Sequence, residues 1–446
     1  MENKKNTRRE FLKKIALGTA GVSFGLSAKS YGNIIGANDR LNVAIMGVNG
    51  RGSSLAENFV NEKNTRVTHV CDVEEKALAK GVKRVINGQS SKPEAVKDFR
   101  NILDNSDVDA LVIAAPDHWH APAGILACDA GKHVYVEKPC SHNPGEGELL
   151  VQAARKNRRV VQMGNQRRSW PHMIECMEDI KDGIIGHVYF AKGWYANDRG
   201  PIGVGKQVPV PGNLDYELWQ GPAPRRAYKD NLIHYNWHWF WNWGTGEACN
   251  NGTHEIDVMR WGLNVDYPIR VSSSGGRYHY SDDWETPDTQ VIGFDFKGEK
   301  SLTWEGRSCN SYPIEGSGRG VQFFGEKGTI VITGGNEYSV YNKNNELVKE
   351  VSDSQKDTDT LDTTGPGVDL DSYHIHNFLE SIRGKAEPTA EIEKGHKSVL
   401  LCHLGNIAQR VGRNLNCNPE NGHIIDDHEA MALWEREYEP GWKPRV

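Results

Sequence analysis

Apolar runs alternate with amphipathic stretches through the first third of the chain. Five short runs predict strands of a parallel sheet: residues 41–46, 66–71, 109–115, 132–137 and 159–163; the first and third are nearly continuous in apolar residues, as in strands buried on both faces. Between them, helical spacing of apolar positions predicts helices over 53–61 and 74–86, up to Cys128, and over 145–156. Strands that alternate with helices in this way predict βαβ units and a doubly wound parallel sheet.

The pattern changes after Gly164, where irregular stretches rich in Gly, Pro and Trp replace the regular alternation. Period-two runs at 289–296 and 300–304 predict a mixed, largely antiparallel sheet. Residues 352–371 predict a loop, and 376–383 and 394–411 predict helices. We therefore divide the chain into a leader, a doubly wound domain, an α+β domain, and C-terminal helices that complete this second domain and pack back: residues 1–39, 40–163, 164–370 and 371–446.

The leader has the pattern of a twin-arginine export signal. Residues 7–13 read TRREFLK, and an uncharged run over 15–28 follows. This run is shorter than the roughly 20 residues that span a bilayer. We expect export of an already folded protein to the periplasm and no stable membrane insertion after signal cleavage; the alternative is a chance arginine pair before an apolar stretch.

Composition argues against a nucleic-acid-binding protein and against a disulfide-stabilised fold. The formal net charge of −6 argues against nucleic acid as a partner, because phosphate binding needs a basic patch. The eight cysteines are scattered singly and without a CxxC pair, which predicts buried thiols rather than a disulfide framework.

A glycine-rich turn, GVNGRG at residues 47–52, separates the first strand from the first helix. Gly47 suits the tight turn of a dinucleotide fingerprint, and Gly52 suits close packing of helix on strand. Asn49 replaces the usual middle glycine, with Gly50 and Arg51 beside it. Asp72 ends the second strand, where a carboxylate accepts hydrogen bonds from ribose hydroxyls, so we expect NAD rather than NADP. The alternative is a doubly wound domain without nucleotide, with Asp72 as a helix cap.

Three further segments resemble one family. They are APDHWH at 115–120, GKHVYVEKP at 131–139 and GTHEID at 252–257. Together they closely resemble the glucose–fructose oxidoreductase, inositol dehydrogenase and rhizopine-catabolism (Gfo/Idh/MocA) family of NAD(P)-dependent sugar oxidoreductases, over about residues 41–446. The resemblance implies a Rossmann domain, a second α+β domain with a large, mostly antiparallel open sheet, and a homo-oligomer, either a dimer or a tetramer.

The resemblance also implies catalytic roles. Lys138 would bind substrate and transfer a proton, with Glu137 close to the nicotinamide. A partly desolvated lysine beside NAD⁺ has a lowered pKa, which suits proton sharing with an alcohol. His254 would be the general base, but Asn250 stands where the family has an aspartate. Lys138 is then expected to carry more of the proton transfer, and Asp257 is read as structural.

Other expected contacts follow from the same resemblance and from strand ends. Pro116, His118, His120 and Gln166 are predicted on the cofactor side; either histidine contacts the nicotinamide ribose or caps the next helix. The predicted substrate contacts are Lys138, Asn165, Arg167, Trp194, His238, Trp243, Asn250 and His254.

Residues 235–243 hold four tryptophans immediately before the His254 segment. With Trp194 and Tyr195 they would wall a cleft for a sugar, whose C–H faces stack on aromatic rings; the alternative is packing at a domain or subunit interface. His234 and His238 have the i,i+4 spacing of metal ligands, but no third ligand is evident in the sequence, so we predict no metal.

Three functions remain at this point. The first is a hexose or glycoside dehydrogenase that oxidises a ring hydroxyl such as that at C3, with tightly bound NAD(H) recycled on the enzyme. The second is a redox-neutral glycosidase, similar to exported NAD-dependent N-acetylgalactosaminidases, which typically lack the lysine found here as Lys138. The third is a non-catalytic sugar-binding protein, which the presence of Lys138 and His254 disfavours.

Overall fold

A computed structural model describes residues 40–352 and 368–446, so the predicted leader and most of the predicted loop at 352–371 lie outside the described residues. In chain order the strands are β1 (Leu41–Met46), β2 (Thr65–Cys71), β3 (Glu94–Val96), β4 (Ala110–Ile113), β5 (His133–Val136), β6 (Val161–Met163), β7 (Val188–Ala196), β8 (Arg270–Gly276), β9 (Thr289–Phe296), β10 (Lys300–Arg307), β11 (Arg319–Gly325), β12 (Gly328–Ile332), β13 (Tyr338–Asn342), β14 (Leu347–Val351) and β15 (Leu415–Asn416). The helices are α1 (Arg51–Asn61), α2 (Glu75–Gly88), α3 (Arg100–Leu103), α4 (Asp117–Asp129), α5 (Pro144–Asn157), α6 (Pro171–Lys181), α7 (Tyr216–Gln220), α8 (Gly246–Asn250), α9 (Gly252–Leu263), α10 (Val368–Ile382), α11 (Ile392–Val411) and α12 (His428–Met431).

The first sheet has six strands in the order β3-β2-β1-β4-β5-β6, all parallel. Its central strands are covered on both faces, which is why β4 is wholly buried along its length. The chain leaves β1 in one direction and β4 in the other, and such a switch opens a crevice at the carboxyl ends of the strands. The predicted doubly wound sheet is confirmed.

The second sheet has nine strands in the order β14-β13-β12-β11-β7-β10-β9-β8-β15. Strand β7 pairs parallel with β10, and every other pair is antiparallel. Helices α9 and α11 cover one face, so residues of β9 alternate between buried and more exposed positions. This confirms the predicted large, mostly antiparallel sheet.

The described end of the predicted loop at 352–371 is helical. Helix α10 begins at Val368, well before the predicted start at 376. Its apolar positions Ile375 and Phe378 pack on the first sheet, where the Phe378 ring lies 5.7 Å from that of Tyr135. Packing against a distant strand therefore extends a helix that local composition alone disfavours.

From residue 41 onward, the described residues form one compact unit. Helix α11 contacts α5 beside the first sheet and β8 of the second, and it is buried for most of its length. All eight cysteines are buried and free. In the described part of the chain no helix has the length and apolarity needed to cross a membrane.

A buried ion pair connects the start of the second domain to α9. Arg168 Nε and Nη2 donate to both carboxylate oxygens of Asp257 at 2.8–3.0 Å, and Ser398 Oγ donates to Asp257 at 2.6 Å. Burial alone would raise the pKa of Asp257, but the Arg168 charge and hydrogen bonds bring it below its ordinary value. Asp257 is therefore held ionised by its structural partners.

We expect Asp257→Asn to lower the free energy of unfolding by about 3–5 kcal/mol, because it leaves the buried Arg168 charge uncompensated. The matched control is Asp295→Asn, which removes the exposed pair with Arg270 and should cost about 1 kcal/mol or less. Denaturant melts of both variants test this. Equal losses would contradict a special role for the buried pair.

Candidate active site

A cleft of about 360 Å³ opens at the carboxyl ends of the first sheet's strands. One wall comes from the turn after β1 and the segments that follow β2, β4 and β5. The opposite wall comes from the second domain, including Tyr195 of β7, Asn250 at the end of α8 and His254 in α9. Both domains thus contribute to a single cleft.

The turn at 47–52 has the close packing that a nucleotide cradle requires. Gly47 has φ +82°, and a Cβ there would lie 2.6 Å from the backbone nitrogen of Ala115. A Cβ on Gly52 would lie 1.7 Å from the carbonyl oxygen of Gly47. Gly50 has open space around it, and Asn49, Gly50 and Arg51 line the cleft. The turn and the first turn of α1 therefore leave room for a pyrophosphate.

Asp72 lies at the end of β2 and lines the same cleft. Its Oδ2 accepts from the Val48 amide at 2.8 Å, and its Oδ1 accepts from the Glu74 amide at 3.0 Å. Burial raises the pKa of Asp72, and these two amides oppose that shift. Each carboxylate oxygen keeps a further lone pair for a ribose hydroxyl. The glycine turn and this carboxylate together fit NAD.

Arg51 has a bridging role that the motif does not reveal. Its Nε donates to Glu137 Oε1 at 2.8 Å, while Nη1 and Nη2 donate to the two oxygens of Asp371 at 2.5 and 2.9 Å. Gln166 Nε2 also donates to Glu137 Oε1, at 3.4 Å. Sequence reasoning missed Asp371 because it lies 320 residues from Arg51 in a segment without a motif.

Lys138 reaches across the cleft to the second domain. Its Nζ donates to the backbone carbonyl of Asn250 at 2.6 Å and to the Asn250 side-chain oxygen at 2.9 Å. Burial lowers the pKa of Lys138, and the nearby carboxylates of Glu137 and Asp117 limit the shift. The amide at position 250 thus orients the ammonium group without neutralising it.

His254 projects into the cleft from the first turn of α9. Burial is the largest cause that lowers its pKa well below the ordinary value, and the cations Arg319, Lys138 and Arg167 add to it. Within residues 40–352 and 368–446, the ring has no hydrogen-bond partner. The imidazole is therefore neutral near pH 7 and has a nitrogen available to accept a proton.

The aromatic stretch reaches the cleft in part. Tyr235, Trp237 and His238 line it. The His238 ring stacks on Trp237 at 3.6 Å, its Nδ1 lies 2.6 Å from the carbonyl of Tyr235, and burial lowers its pKa. His234 also lines the cleft, and its Nε2 lies 3.1 Å from Glu74 Oε2. No group of three potential metal-ligating side chains occurs among the described residues.

Pro116, His120, Gln166 and Arg167 line the cleft where they were predicted. His120 lies between two carbonyl oxygens, those of Ala115 and Pro139, each 2.6 Å from a ring nitrogen. This ring is therefore held by the backbone on both sides, and the residue is buried at the wall of the cleft.

Four predicted residues do not line the cleft and need correction: His118, Asn165, Trp194 and Trp243. Gly52 lies beneath the turn against Gly47, where it allows the close packing of helix on strand that the sequence predicts. His118 is fully buried beside the Trp219 carbonyl, at 2.9 Å, and burial lowers its pKa to about 3. Asn165 is buried at the domain junction.

The two tryptophans are core residues. Trp194 is fully buried and its Nε1 donates to the carbonyl of Ser317 at 3.0 Å. Trp243 packs in a small aromatic cluster with Trp219 and Phe240. In β7 it is Tyr195, next to Trp194, that faces the cleft, since successive side chains of a strand point to opposite faces.

Several cleft residues carried no usable sequence signal. Arg319 begins β11, and Arg199 follows β7 with its guanidinium paired to Glu247 at 2.8 Å. Trp170 precedes α6, Leu214 comes from the segment before α7, and Leu218 belongs to α7. Their positions depend on the strand order of the second sheet, which the sequence pattern does not determine.

Comparison with known proteins agrees with this geometry. Residues 41–165 match the oxidoreductase family with an NAD-binding Rossmann fold, and residues 214–415 match the C-terminal alpha/beta domain of the same family. The chain belongs to the Gfo/Idh/MocA family of NAD-binding oxidoreductases.

Individual relatives and solved structures carry two kinds of name. A glycosyl hydrolase family 109 protein of Saccharopolyspora erythraea is 32% identical over 197 residues, which cover 41% of this chain and 43% of that protein. The match thus spans less than half of that relative. An NAD binding oxidoreductase from Klebsiella pneumoniae has a TM-score of 0.65 at 18% identity over 84% of this chain and 99% of that chain. Levoglucosan dehydrogenase in complex with NADH and levoglucosan has a TM-score of 0.65 at 17% identity, over 84% of this chain and 99% of that chain.

We expect Gly52→Ala to weaken NAD binding by roughly 10- to 100-fold, since strain of about 1–3 kcal/mol would displace the Gly47 carbonyl and distort the turn. The matched control is Gly200→Ala, because nothing lies within 4 Å of a Cβ there. Titration of NAD into nucleotide-stripped protein measures both. Unchanged affinity in Gly52→Ala would contradict the assigned cradle.

Proposed function

We propose that the protein is an NAD-dependent oxidoreductase that oxidises a ring hydroxyl of a hexose or glycoside. The observation that carries this proposal is that one cleft is lined both by the Lys138 ammonium group and by the neutral His254 ring, which has no hydrogen-bond partner among the described residues. Both face the cleft whose other end holds the glycine turn and Asp72. An acid–base pair beside a nucleotide cradle suits hydride transfer from an alcohol.

When bound, NAD⁺ supplies the hydride acceptor. Side chains of this protein bind the substrate hydroxyl and remove its proton. Lys138 Nζ donates a hydrogen bond to the reacting oxygen and stabilises its developing negative charge. The free His254 nitrogen accepts the proton. Asn250 keeps the lysine directed into the cleft through two acceptors, and the cations around His254 favour its return to the neutral form.

Tight retention of NAD is supported by a segment of the second domain that closes on the first. The Glu75 amide donates to the Asn213 carbonyl and the Asp215 amide donates to the Val73 carbonyl, both at 3.0 Å. Leu214 from this segment lines the cleft next to Asp72. We propose that this strap, residues 213–219, slows release of the cofactor, which is then reduced and reoxidised on the same protein.

We expect NAD to remain with the purified protein after dialysis, as measured by chromatography of the supernatant after heat denaturation. Glu74→Ala should release NAD roughly 5- to 30-fold faster, because it removes contacts to Asn213 at 3.0 Å and His234 at 3.1 Å and each hydrogen bond contributes about 1 kcal/mol. The control is Glu75→Ala, whose side chain forms an exposed pair with Lys97. Nucleotide-free wild-type protein would contradict tight binding.

Export remains a prediction from residues 7–28, which lie outside the described residues. We propose that the protein is loaded with NAD before twin-arginine export to the periplasm. A retained cofactor is consistent with this, because recycling on the enzyme needs no outside nucleotide pool.

We also propose that the protein forms a homo-oligomer, either a dimer or a tetramer.

The second candidate function is a redox-neutral glycosidase that oxidises, eliminates, hydrates and reduces its substrate in turn. The relative from Saccharopolyspora erythraea, named as a glycosyl hydrolase, favours it. The first proposal ranks higher because this chain has Lys138, which the exported N-acetylgalactosaminidases typically lack. The Lys138 ammonium group donates to Asn250 at the cleft.

Aryl glycosides incubated with the enzyme separate the two candidates by mass spectrometry. A product lighter by two hydrogens with its glycosidic bond intact supports the dehydrogenase, and free aglycone without a keto-sugar supports the glycosidase. We expect Lys138→Ala to slow turnover by about 100- to 10,000-fold while bound NAD is unchanged. Full activity in this variant would remove Lys138 from the mechanism.

A further inference from the structure

The side-chain amide of Asn250 has one orientation that fits both of its charged neighbours. Its Oδ1 accepts from Lys138 Nζ at 2.9 Å, and its Nδ2 donates to Glu247 Oε1 at 3.3 Å. An ammonium group only donates and a carboxylate only accepts, so a flipped amide would lose both hydrogen bonds. Burial raises the pKa of the nearby Tyr235 phenol, and this neutral group fits either orientation. One amide therefore connects Lys138 with Glu247.

Glu247 is held in place by donors on both of its carboxylate oxygens. It lies in α8, three residues before Asn250, and is 4% exposed. Arg199 Nε donates to Oε2 at 2.8 Å and Ser308 Oγ donates to the same oxygen at 3.1 Å. Oε1 accepts from the side chains of Asn250 and Asn251, and Arg199 Nη2 lies 3.5 Å from it. This carboxylate is thus fully bonded and cannot turn away from the Asn250 amide without losing contacts.

Arg199, the cation that pairs with Glu247, is fixed in turn by aromatic side chains. Its Nη2 donates to the Tyr195 hydroxyl at 3.2 Å, and its guanidinium lies 5.0 Å from the Trp239 ring and 5.4 Å from the Tyr235 ring. Burial alone would lower the pKa of Arg199, but Glu247 and the two phenols bring it above its ordinary value. The ion pair is therefore part of the cleft wall.

Glu247 also acts on the charge of Lys138 without touching it. Burial lowers the pKa of Lys138, and Glu247 is the carboxylate of the second domain that opposes this shift. The other charged groups that act on Lys138 are Glu137 and Asp117, which raise its pKa, and Arg319, which lowers it; Lys138 in turn acts on the neutral rings of His238 and His254.

We infer that Glu247 is a positioning residue for the proposed oxidation: it fixes the Asn250 amide so that the amide oxygen faces the Lys138 ammonium group, and it supplies the nearby negative charge that this neutral amide lacks. The inference rests on the proposed function, because it concerns the same lysine and the same reaction. The backbone carbonyl of Asn250 also accepts from Lys138, at 2.6 Å, so loss of Glu247 weakens the arrangement without abolishing it. The alternative is that Glu247 only compensates Arg199.

The pH dependence of Lys138 acetylation tests the inference without turnover. The NAD-loaded protein is treated with acetic anhydride over a range of pH, and mass spectrometry measures the modified fraction of Lys138, because only the neutral amine reacts. Glu247→Gln removes a carboxylate that raises the pKa of Lys138, so half-modification should move to lower pH than in the wild-type protein. The matched control is Asp257→Asn, which breaks another buried arginine–carboxylate pair. No shift in Glu247→Gln, or an equal shift in both variants, would overturn the inference.

Moving the charge to position 250 tests the same role through turnover of p-nitrophenyl glucoside. Glu247→Gln should lower kcat about 10-fold with bound NAD unchanged, the lower end for a hydrogen bond to a charged group. Asn250→Asp should lower turnover in the wild-type background, where it places a second carboxylate beside Glu247, and should raise turnover in Glu247→Gln. An effect of the same sign in both backgrounds would overturn the inference.

If Glu247→Gln does not fold, Glu247→Gln combined with Arg199→Gln removes the pair without leaving a buried charge uncompensated. Asn250→Asp is then introduced into this background, with the same reversal of sign expected. A Lys138 acetylation curve that shifts as expected in a protein that oxidises no glycoside would count against the proposed function alone. Oxidation of the glucoside by a protein whose curve does not shift in Glu247→Gln would count against this inference alone.

Discussion

The guanidinium of Arg51 lies between Glu137 and Asp371, and the arrangement of the cleft depends on this contact. Arg51 begins the helix that follows the nucleotide turn, Glu137 ends β5 next to Lys138, and Asp371 belongs to α10. One buried cation therefore ties the cofactor cradle, the reactive lysine and the C-terminal helices together. Loss of Arg51 would leave two buried carboxylates without their shared cation, so the three segments depend on this one residue.

Desolvation then sets the chemistry of the cleft. It lowers the pKa of Lys138 and, more strongly, that of His254, but the consequences differ. Carboxylates around Lys138 limit the shift, whereas cations around His254 increase it. One group is thereby kept as a donor and the other as an acceptor, although both lie in the same cleft. An asparagine at 250 is compatible with this division, since an aspartate would bring another negative charge next to Lys138.

The strands and helices around the nucleotide turn were predictable because their signals are local. Uninterrupted apolar runs, the glycine turn and Asp72 are all read within short windows of sequence. Local signals do not predict which of the adjacent residues Trp194 and Tyr195 faces the cleft. The pairing of β7 within its sheet decides this. Trp243 fails for a related reason, since an aromatic run fits a small core as well as a sugar-binding wall.

The fold class, the family and the dinucleotide site can all be predicted from the amino-acid sequence, because apolar periodicity and contiguous motifs are local signals. Tertiary structure alone decided that Asp371 holds Arg51, that Lys138 bonds to Asn250, and that Arg167 and Arg319 share Glu255. These contacts join residues far apart in the chain, on strands whose order no local pattern specifies. Their charges acquire altered pKa values only after folding has removed water from around them.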